Sequence, residues 1–196
     1  MHRVLLIGDS IRLGYEPFVR GALAGTAHIL APVENCQHTV NHLMNFWQWV
    51  VPIQPDVVHF NAGLWDTRRV TLGGSDNIIP VAGYARNVRR LVELLREHTQ
   101  ARLIWATTTP VDQLTYDRGN FQRGTAGRHG PDIDVYNAAA LEIMRELEVP
   151  VNDLHSFVVR NDPAALLADD GIHYTPGGYE KLGNQVAQAI KVAMAS

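Results

Sequence analysis

Short apolar runs of strand length, separated by segments with helical periodicity, constrain the fold of this chain more than any other feature. Five runs are candidate strands, at residues 4–7, 28–32, 56–61, 102–106 and 149–151. Between them, apolar residues recur at helical spacing, as Tyr15, Val19 and Ala22 do after the first run. The runs are largely continuous rather than alternating, which is typical of strands buried on both faces. The pattern therefore predicts an α/β fold, with a parallel sheet covered by helices on both faces.

Composition limits the classes of protein to consider. The 196 residues are 46% hydrophobic and 19% charged, and no repeat or linker divides them, so we expect one domain over residues 1–196. A net charge of −3 gives no basic surface for nucleic acid or an anionic membrane. Cys36 is the single cysteine, which excludes an intrachain disulfide. No apolar run is long enough for a membrane span, and the N-terminus lacks a signal-peptide pattern, so we expect a cytoplasmic protein.

Chemically useful residues cluster where the predicted strands end. Ligands of open parallel sheets bind at the carboxyl ends of the strands. That rule selects four segments, and a fifth precedes the last predicted helix: residues 8–10, 35–39, 61–66, 107–110 and 169–174. Residues 110–131 are predicted to form a long polar loop, which at that length would be a lid or a substrate-binding loop.

Two of these segments together could activate a serine. Ser10 lies at a strand-to-helix turn, where unpaired N–H groups can stabilise an anion, although for a lone Gly-Asp-Ser a simple N-cap is the commoner explanation. Asp170 precedes His173 by three residues, a spacing that lets the carboxylate accept from Nδ1–H, although a surface pair has the same spacing. Taken together, these residues supply a nucleophile, a base and a group that orients the base.

The sequence resembles the SGNH, or GDSL, hydrolase superfamily. Residues 4–10, Val-Leu-Leu-Ile-Gly-Asp-Ser, are similar to its first block, and residues 170–179, beginning Asp-Gly-Ile-His, are similar to its last. The resemblance implies a three-layer α/β/α sandwich with a parallel, flavodoxin-like five-stranded sheet. It also implies an ester hydrolase in which Ser10 is the nucleophile, His173 the base and Asp170 its partner. No cofactor is expected.

The chain departs from the family where the oxyanion donors belong. Residues 61–66 fall where the Gly-x-Asn-Asp block is expected, but Trp65 occupies the asparagine position. Gln37 stands where a glycine of the second block is expected. The Gln37 backbone N–H and the single indole N–H of Trp65 are candidate replacements. We therefore predict an oxyanion or substrate-binding role for Gln37, Asn61, Gly63 and Trp65.

Other polar residues have less specific explanations. His38 and His42 could share a helical face as metal ligands do, but no third ligand stands out, so no metal site is predicted. Five arginines could contact an anionic or sugar substrate, although ordinary surface arginines are the commoner explanation: Arg68, Arg69, Arg118, Arg123 and Arg128.

The function predicted from the sequence is hydrolysis of a small acyl ester, such as an acetyl ester, with an acetylated carbohydrate as one possible substrate. A thioesterase or lysophospholipase would use the same three residues. A non-catalytic binding protein that has lost its oxyanion hole is the alternative from another class, motivated by Trp65 and Gln37. A nucleotide-binding domain is disfavoured because the sequence contains neither Gly-x-Gly-x-x-Gly nor Gly-x4-Gly-Lys-Ser/Thr, the two glycine-rich motifs that bind phosphates. The sequence predicts a small-molecule partner, and leaves the oligomeric state open.

Overall fold

The structure, a computed structural model, describes residues 1–71, 74–123 and 127–195, with the backbone alone for 119–123. The strands are β1 (His2–Ile7), β2 (Ala27–Leu30), β3 (Val57–Phe60), β4 (Arg102–Ala106) and β5 (Val151–Asn152). The helices are α1 (Ser10–Ala22), α2 (Thr39–Trp49), α3 (Val81–His98), α4 (Gln113–Arg123), α5 (Gly130–Glu146), α6 (Leu154–Arg160), α7 (Pro163–Leu166) and α8 (Pro176–Ala195).

The five strands form one parallel sheet in the order β2-β1-β3-β4-β5. The chain leaves β1 in one direction to reach β2, and then crosses to the other side of β1 to form β3. This reversal places a crevice at the carboxyl ends of β1 and β3, where parallel sheets bind ligands. The predicted parallel, flavodoxin-like three-layer fold is confirmed.

Side chains of β1 alternate between two separate cores. Val4 and Leu6 lie in the core beneath α1 and α8, whereas Leu5 and Ile7 lie in the core beneath α2, α3 and α5. All four are buried, which explains the continuous apolar run in the sequence.

Close packing of α1 against α8 positions the two ends of the chain. Gly183 of α8 makes this possible, because a Cβ there would lie 2.6 Å from Phe18 Cβ and 3.0 Å from the Tyr15 carbonyl oxygen. Ser10 begins α1, and His173 lies three residues before α8. The contact between the two helices thus holds the first and last sequence blocks on the same side of the sheet.

The predicted loop over residues 110–131 is wrong in part. Residues 113–123 form α4, and α5 begins at Gly130; residues 124–126 lie outside the described part of the chain. The Asp112 carboxylate stabilises the start of α4 by accepting the N–H groups of Leu114 and Thr115 at 3.2 and 3.4 Å. This helix is mostly polar, so its sequence carries little apolar periodicity to detect.

Two further helices, α6 and α7, have seven and four residues and are too short for periodicity to indicate. Residues 74–76 precede α3, and residue 73 lies outside the described part of the chain. Within the described residues, every helix is too short or too polar to cross a lipid bilayer.

Candidate active site

Ser10 lies at the first turn of α1, directly after the central strand β1. The cap of this helix is Asp9 rather than Ser10: its buried carboxylate accepts the N–H of Ile11 at 2.9 Å. The N-cap interpretation of Ser10 is therefore wrong, and its hydroxyl is available for other partners. Its backbone N–H belongs to the first turn, where N–H groups have no partner within the helix.

His173 connects Ser10 to Asp170. Its Nε2 lies 2.9 Å from the Ser10 hydroxyl oxygen, and its Nδ1 lies 2.6 Å from the Asp170 carboxylate. The three side chains form a continuous hydrogen-bonded series. The structure thus brings together all three residues that the sequence selected, although 163 positions separate Ser10 from His173.

A tight turn fixes Asp170 against His173. The second carboxylate oxygen of Asp170 accepts the backbone N–H groups of Ile172 and His173, at 3.0 and 2.8 Å. Burial alone would raise the pKa of Asp170, but the hydrogen bonds from the His173 side chain and from both backbone groups lower it below its usual range. The carboxylate is therefore ionised at neutral pH, which fixes the proton of the neutral imidazole on Nδ1.

Gly171 allows this turn to pack against the start of α4. Its φ is +72°, and a Cβ there would lie 2.7 Å from the Asp112 carbonyl oxygen and from the Tyr116 backbone nitrogen. The Gly171 carbonyl accepts the N–H of Asp112 at 2.8 Å. The segment at 112–116, predicted as loop, is thus a wall beside the candidate triad.

Two of the predicted oxyanion residues use their donors within the protein. The Gln37 N–H donates to Asn35 Oδ1 at 2.9 Å, and Gln37 has a φ of +57°, in the left-handed region that favours glycine. The Asn61 amide donates to the Ala106 carbonyl at 2.8 Å, so this side chain links β3 to β4.

Gly63 has a structural reason to be glycine. Its φ is +148°, and a Cβ there would lie 2.3 Å from the Thr108 hydroxyl oxygen. Residues 63–66 thus pass close to the end of β4, and the Gly63 carbonyl accepts the N–H of Thr67 at 2.9 Å.

Trp65 contacts two guanidinium groups. The Arg128 guanidinium is 5.5 Å and the Arg68 guanidinium 5.8 Å from the centre of its ring system, within the range of cation–π contacts. Within the described residues, the indole N–H of Trp65 has no protein acceptor. It is therefore free to donate to a ligand.

Asp66 is a supporting residue whose role sequence reasoning missed. Its buried carboxylate accepts the Thr39 hydroxyl at 2.6 Å and the Thr39 N–H at 3.1 Å, which ties the start of α2 to the loop after β3. Burial raises the pKa of Asp66 to about 6, although the Thr39 bonds lower it. Asp66 ends the segment that falls where the Gly-x-Asn-Asp block is expected, and that position was the feature of the sequence that could have indicated its role.

A small cavity of about 10 Å³ lies beneath the Ser10 turn, lined by residues that include Asp9, Arg12 and Leu64. One carboxylate oxygen of Asp9 and the Nε of Arg12 are buried in this region, and neither has a hydrogen-bond partner in the described part of the chain. Burial raises the pKa of Asp9, although the hydrogen bond from the Ile11 N–H acts to lower it.

Cys36 is also buried, which raises the pKa of its thiol and opposes its use as a nucleophile.

His38 and His42, the two histidines considered as metal ligands, lie at the start of α2. His38 Nδ1 accepts the N–H of Asn41 at 3.1 Å and caps α2. His42 and His59 are buried, which lowers the pKa of each to about 3. His59 Nε2 accepts from the Asn152 amide at 3.1 Å. Among the described residues, no three His, Cys, Asp or Glu side chains converge to hold a metal ion.

Comparison with known proteins gives a family match over most of the chain. The model of the GDSL-like Lipase/Acylhydrolase family matches residues 6–181. A search of the curated proteins finds no match.

Solved structures with the same fold include several hydrolases. The lipase/acylhydrolase from Enterococcus faecalis is 22% identical, with a TM-score of 0.79 over 98% of this chain and 96% of that one. An acetylxylan esterase from Geobacillus stearothermophilus is 19% identical, with a TM-score of 0.76 over 96% and 94%. The acetyl xylan esterase AlAXEase is 16% identical, with a TM-score of 0.75 over 96% and 99%. At these identities the likeness establishes the shared fold.

Proposed function

Because the chain belongs to the GDSL-like lipase/acylhydrolase family, and is therefore a carboxylic ester hydrolase, we propose that it cleaves small acyl esters with Ser10, His173 and Asp170. The observation that carries this proposal is the hydrogen-bonded series from the Ser10 hydroxyl through His173 to Asp170, at 2.9 and 2.6 Å.

The geometry supports a two-step acyl transfer. His173 Nε2 accepts the hydroxyl proton while Ser10 Oγ attacks the ester carbonyl, and Asp170 stabilises the imidazolium that forms. The imidazolium then protonates the departing alcohol, which leaves an acyl group on Ser10. Water, deprotonated by the same histidine, attacks the acyl group, releases the carboxylic acid and regenerates Ser10.

We assign the oxyanion donors to the Ser10 N–H and the indole N–H of Trp65. The Ser10 N–H is at the positive end of α1, and the Trp65 N–H has no acceptor among the described residues. The Gln37 N–H would join them only if the Asn35 side chain, which now accepts it, turned away. In this proposal Asn61 and Gly63 shape the site without donating to the oxyanion.

The proposed acyl group is acetyl. Two of the proteins with this fold are named as acetylxylan esterases, which makes acetylated carbohydrate a reasonable substrate class to test first. Thioesters and lysophospholipids remain the alternative substrates for the same three residues.

Covalent labelling tests the proposal. A fluorophosphonate should modify Ser10, as located by mass spectrometry of the labelled peptide, and His173→Ala should abolish the labelling. Ser10→Ala should lower kcat for 4-nitrophenyl acetate by at least about 10³-fold. The same change at the exposed Ser75 is the control. Retention of more than a tenth of the activity by a folded Ser10→Ala protein would rule out Ser10 as the nucleophile.

A further inference from the structure

Trp65, Arg68 and Arg128 lie together in one cluster. Both guanidinium groups contact the same indole, at 5.8 Å for Arg68 and 5.5 Å for Arg128. Two like charges on one aromatic ring repel each other, so their joint placement needs a counter-charge or a fixed framework.

A fixed framework holds Arg128 in place. Its Nε donates to the Leu64 carbonyl, and a terminal nitrogen donates to the Tyr116 hydroxyl at 3.1 Å. Leu64 lines the small cavity beneath the Ser10 turn, whereas Tyr116 lies on α4, whose start packs against Gly171. Arg128 therefore links the loop after β3 to α4, the helix whose start packs against the turn that carries Asp170 and His173.

Arg68 is held close to Trp65 by the backbone. Its N–H donates to the Trp65 carbonyl at 3.2 Å, in a turn that also positions Arg69. The next residue, Arg69, pairs with Asp132 at 2.7 Å and is neutralised.

No carboxylate of the described residues neutralises the other two arginines. Within the described residues, which include all 20 Asp and Glu residues of the sequence, neither Arg68 nor Arg128 forms an ion pair. The nearby carboxylates serve other groups: Asp112 binds the start of α4, and Asp170 binds His173. In addition, the positive charge of Arg128 acts to lower the pKa of Asp9, as does His173, which places this arginine in the electrostatic environment of the nucleophile turn.

We propose that Arg68 and Arg128, arranged around Trp65, form an anion-binding subsite that selects esters bearing a carboxylate or another oxyanionic group near the scissile bond. This inference rests on the proposed ester hydrolysis and specifies its substrate class. An arginine presents several N–H donors in a planar fork that matches the two oxygens of a carboxylate. The role is compatible with an oxyanion role for Trp65, because the cations contact the ring face whereas the N–H lies at the ring edge.

Matched esters that differ in one charge test the subsite. The probes are 3-acetoxybenzoate and 3-acetoxybenzamide, which share the acetyl group and the phenolic leaving oxygen. We expect kcat/KM to favour the benzoate by about 10-fold to 100-fold at low ionic strength, the range for hydrogen bonds to a charged group. The preference should shrink as sodium chloride is added.

Arginine variants test which residues produce the preference for the benzoate over the benzamide. The Arg68 side chain makes no hydrogen bond to any described residue, so Arg68→Gln should remove most of the preference for the benzoate without breaking one. Arg128→Lys keeps the positive charge but loses the planar guanidinium group, so it should weaken the preference for the benzoate. Arg160→Gln, at an exposed position at the end of α6, should leave the ratio unchanged. A wild-type ratio near 1, or the same ratio in wild type and Arg68→Gln, would overturn the proposal.

Binding to an inactive protein separates this proposal from the one on which it rests. In the Ser10→Ala variant, calorimetry should show 3-acetoxybenzoate binding more tightly than the benzamide, and the added Arg68→Gln change should abolish the difference. If wild type hydrolyses neither ester but this difference in binding is present, the proposed hydrolysis fails and the subsite stands. If the two probes bind equally, the subsite is refuted whatever the hydrolytic activity.

Discussion

Replacing Asp170 with asparagine should invert the tautomer of His173. In the native turn, one carboxylate oxygen accepts the N–H groups of Ile172 and His173, and the other accepts Nδ1–H at 2.6 Å. The amide oxygen of an asparagine should take the place that keeps both backbone bonds, which leaves its NH₂ group facing Nδ1. Nδ1 must then accept, so the imidazole proton moves to Nε2, where it points at the Ser10 hydroxyl.

The cost of Asp170→Asn follows from this inversion. The Nε2 atom that lies 2.9 Å from Ser10 becomes a donor and cannot take the hydroxyl proton. The negative charge that stabilises the imidazolium is lost as well. A wrong tautomer at this position in a serine triad lowers kcat by about 10⁴-fold, which corresponds to about 5.4 kcal/mol of transition-state stabilisation.

Steady-state hydrolysis of 4-nitrophenyl acetate at pH 7.5 measures this loss, and nitrogen chemical shifts of His173 report the tautomer directly. The Asp170→Asn protein should keep its fold, because both backbone hydrogen bonds are retained. Asp169→Asn removes the same charge from the adjacent, exposed residue and should change kcat less than about twofold. If Asp170→Asn keeps more than a tenth of the wild-type kcat, the orienting role of Asp170 is refuted.

Three further changes test the supporting structure. Trp65→Phe should lower kcat by about 10²–10³-fold with little change in KM, as for loss of one oxyanion donor; a near-native kcat with an altered acyl preference would make Trp65 a wall of the acyl pocket instead. The pKa of Asp66 is about 6 in the folded protein, against 3.8 for the unperturbed group, so the folded state binds more protons than the unfolded state between these pH values. The contribution of Asp66 to stability therefore falls as pH rises from about 4 to 6, and it is constant at higher pH. Urea unfolding should therefore show Asp66→Asn gaining about 1–3 kcal/mol relative to wild type between pH 4.5 and 7.5, whereas the same change at the exposed Asp76 should show no such gain. Gly171→Ala should lower the free energy of unfolding by about 2 kcal/mol or more, because its Cβ meets backbone atoms at 2.7 Å and its φ is +72°. Thermal melts compare it with Gly177→Ala, where a Cβ meets no described atom within 4 Å and little change is expected.

Features of the fold that depend on local sequence were predictable. The continuous apolar run of β1 determines burial on both faces, because its alternate residues must enter two cores. Likewise, the three-residue spacing of Asp170 and His173 determines their contact. A single tight turn, closed by two backbone hydrogen bonds to Asp170, is enough to bring the carboxylate to Nδ1.

The tertiary structure decided what depends on distant segments. Nothing in the sequence indicates that the Asn61 amide donates to the Ala106 carbonyl, because that hydrogen bond depends on the register of β3 against β4. Helix α4 carries few apolar residues, and its packing against Gly171 could not be inferred from its own pattern.

The environment of Trp65 shows the same division most clearly. The sequence determined that an indole replaces the expected asparagine, and it contained Arg68 three residues later. It could not indicate that Arg128, 63 positions beyond Trp65, contacts the same ring. That placement depends on hydrogen bonds to the Leu64 carbonyl and the Tyr116 hydroxyl, which exist only once α4 and the loop after β3 have packed together.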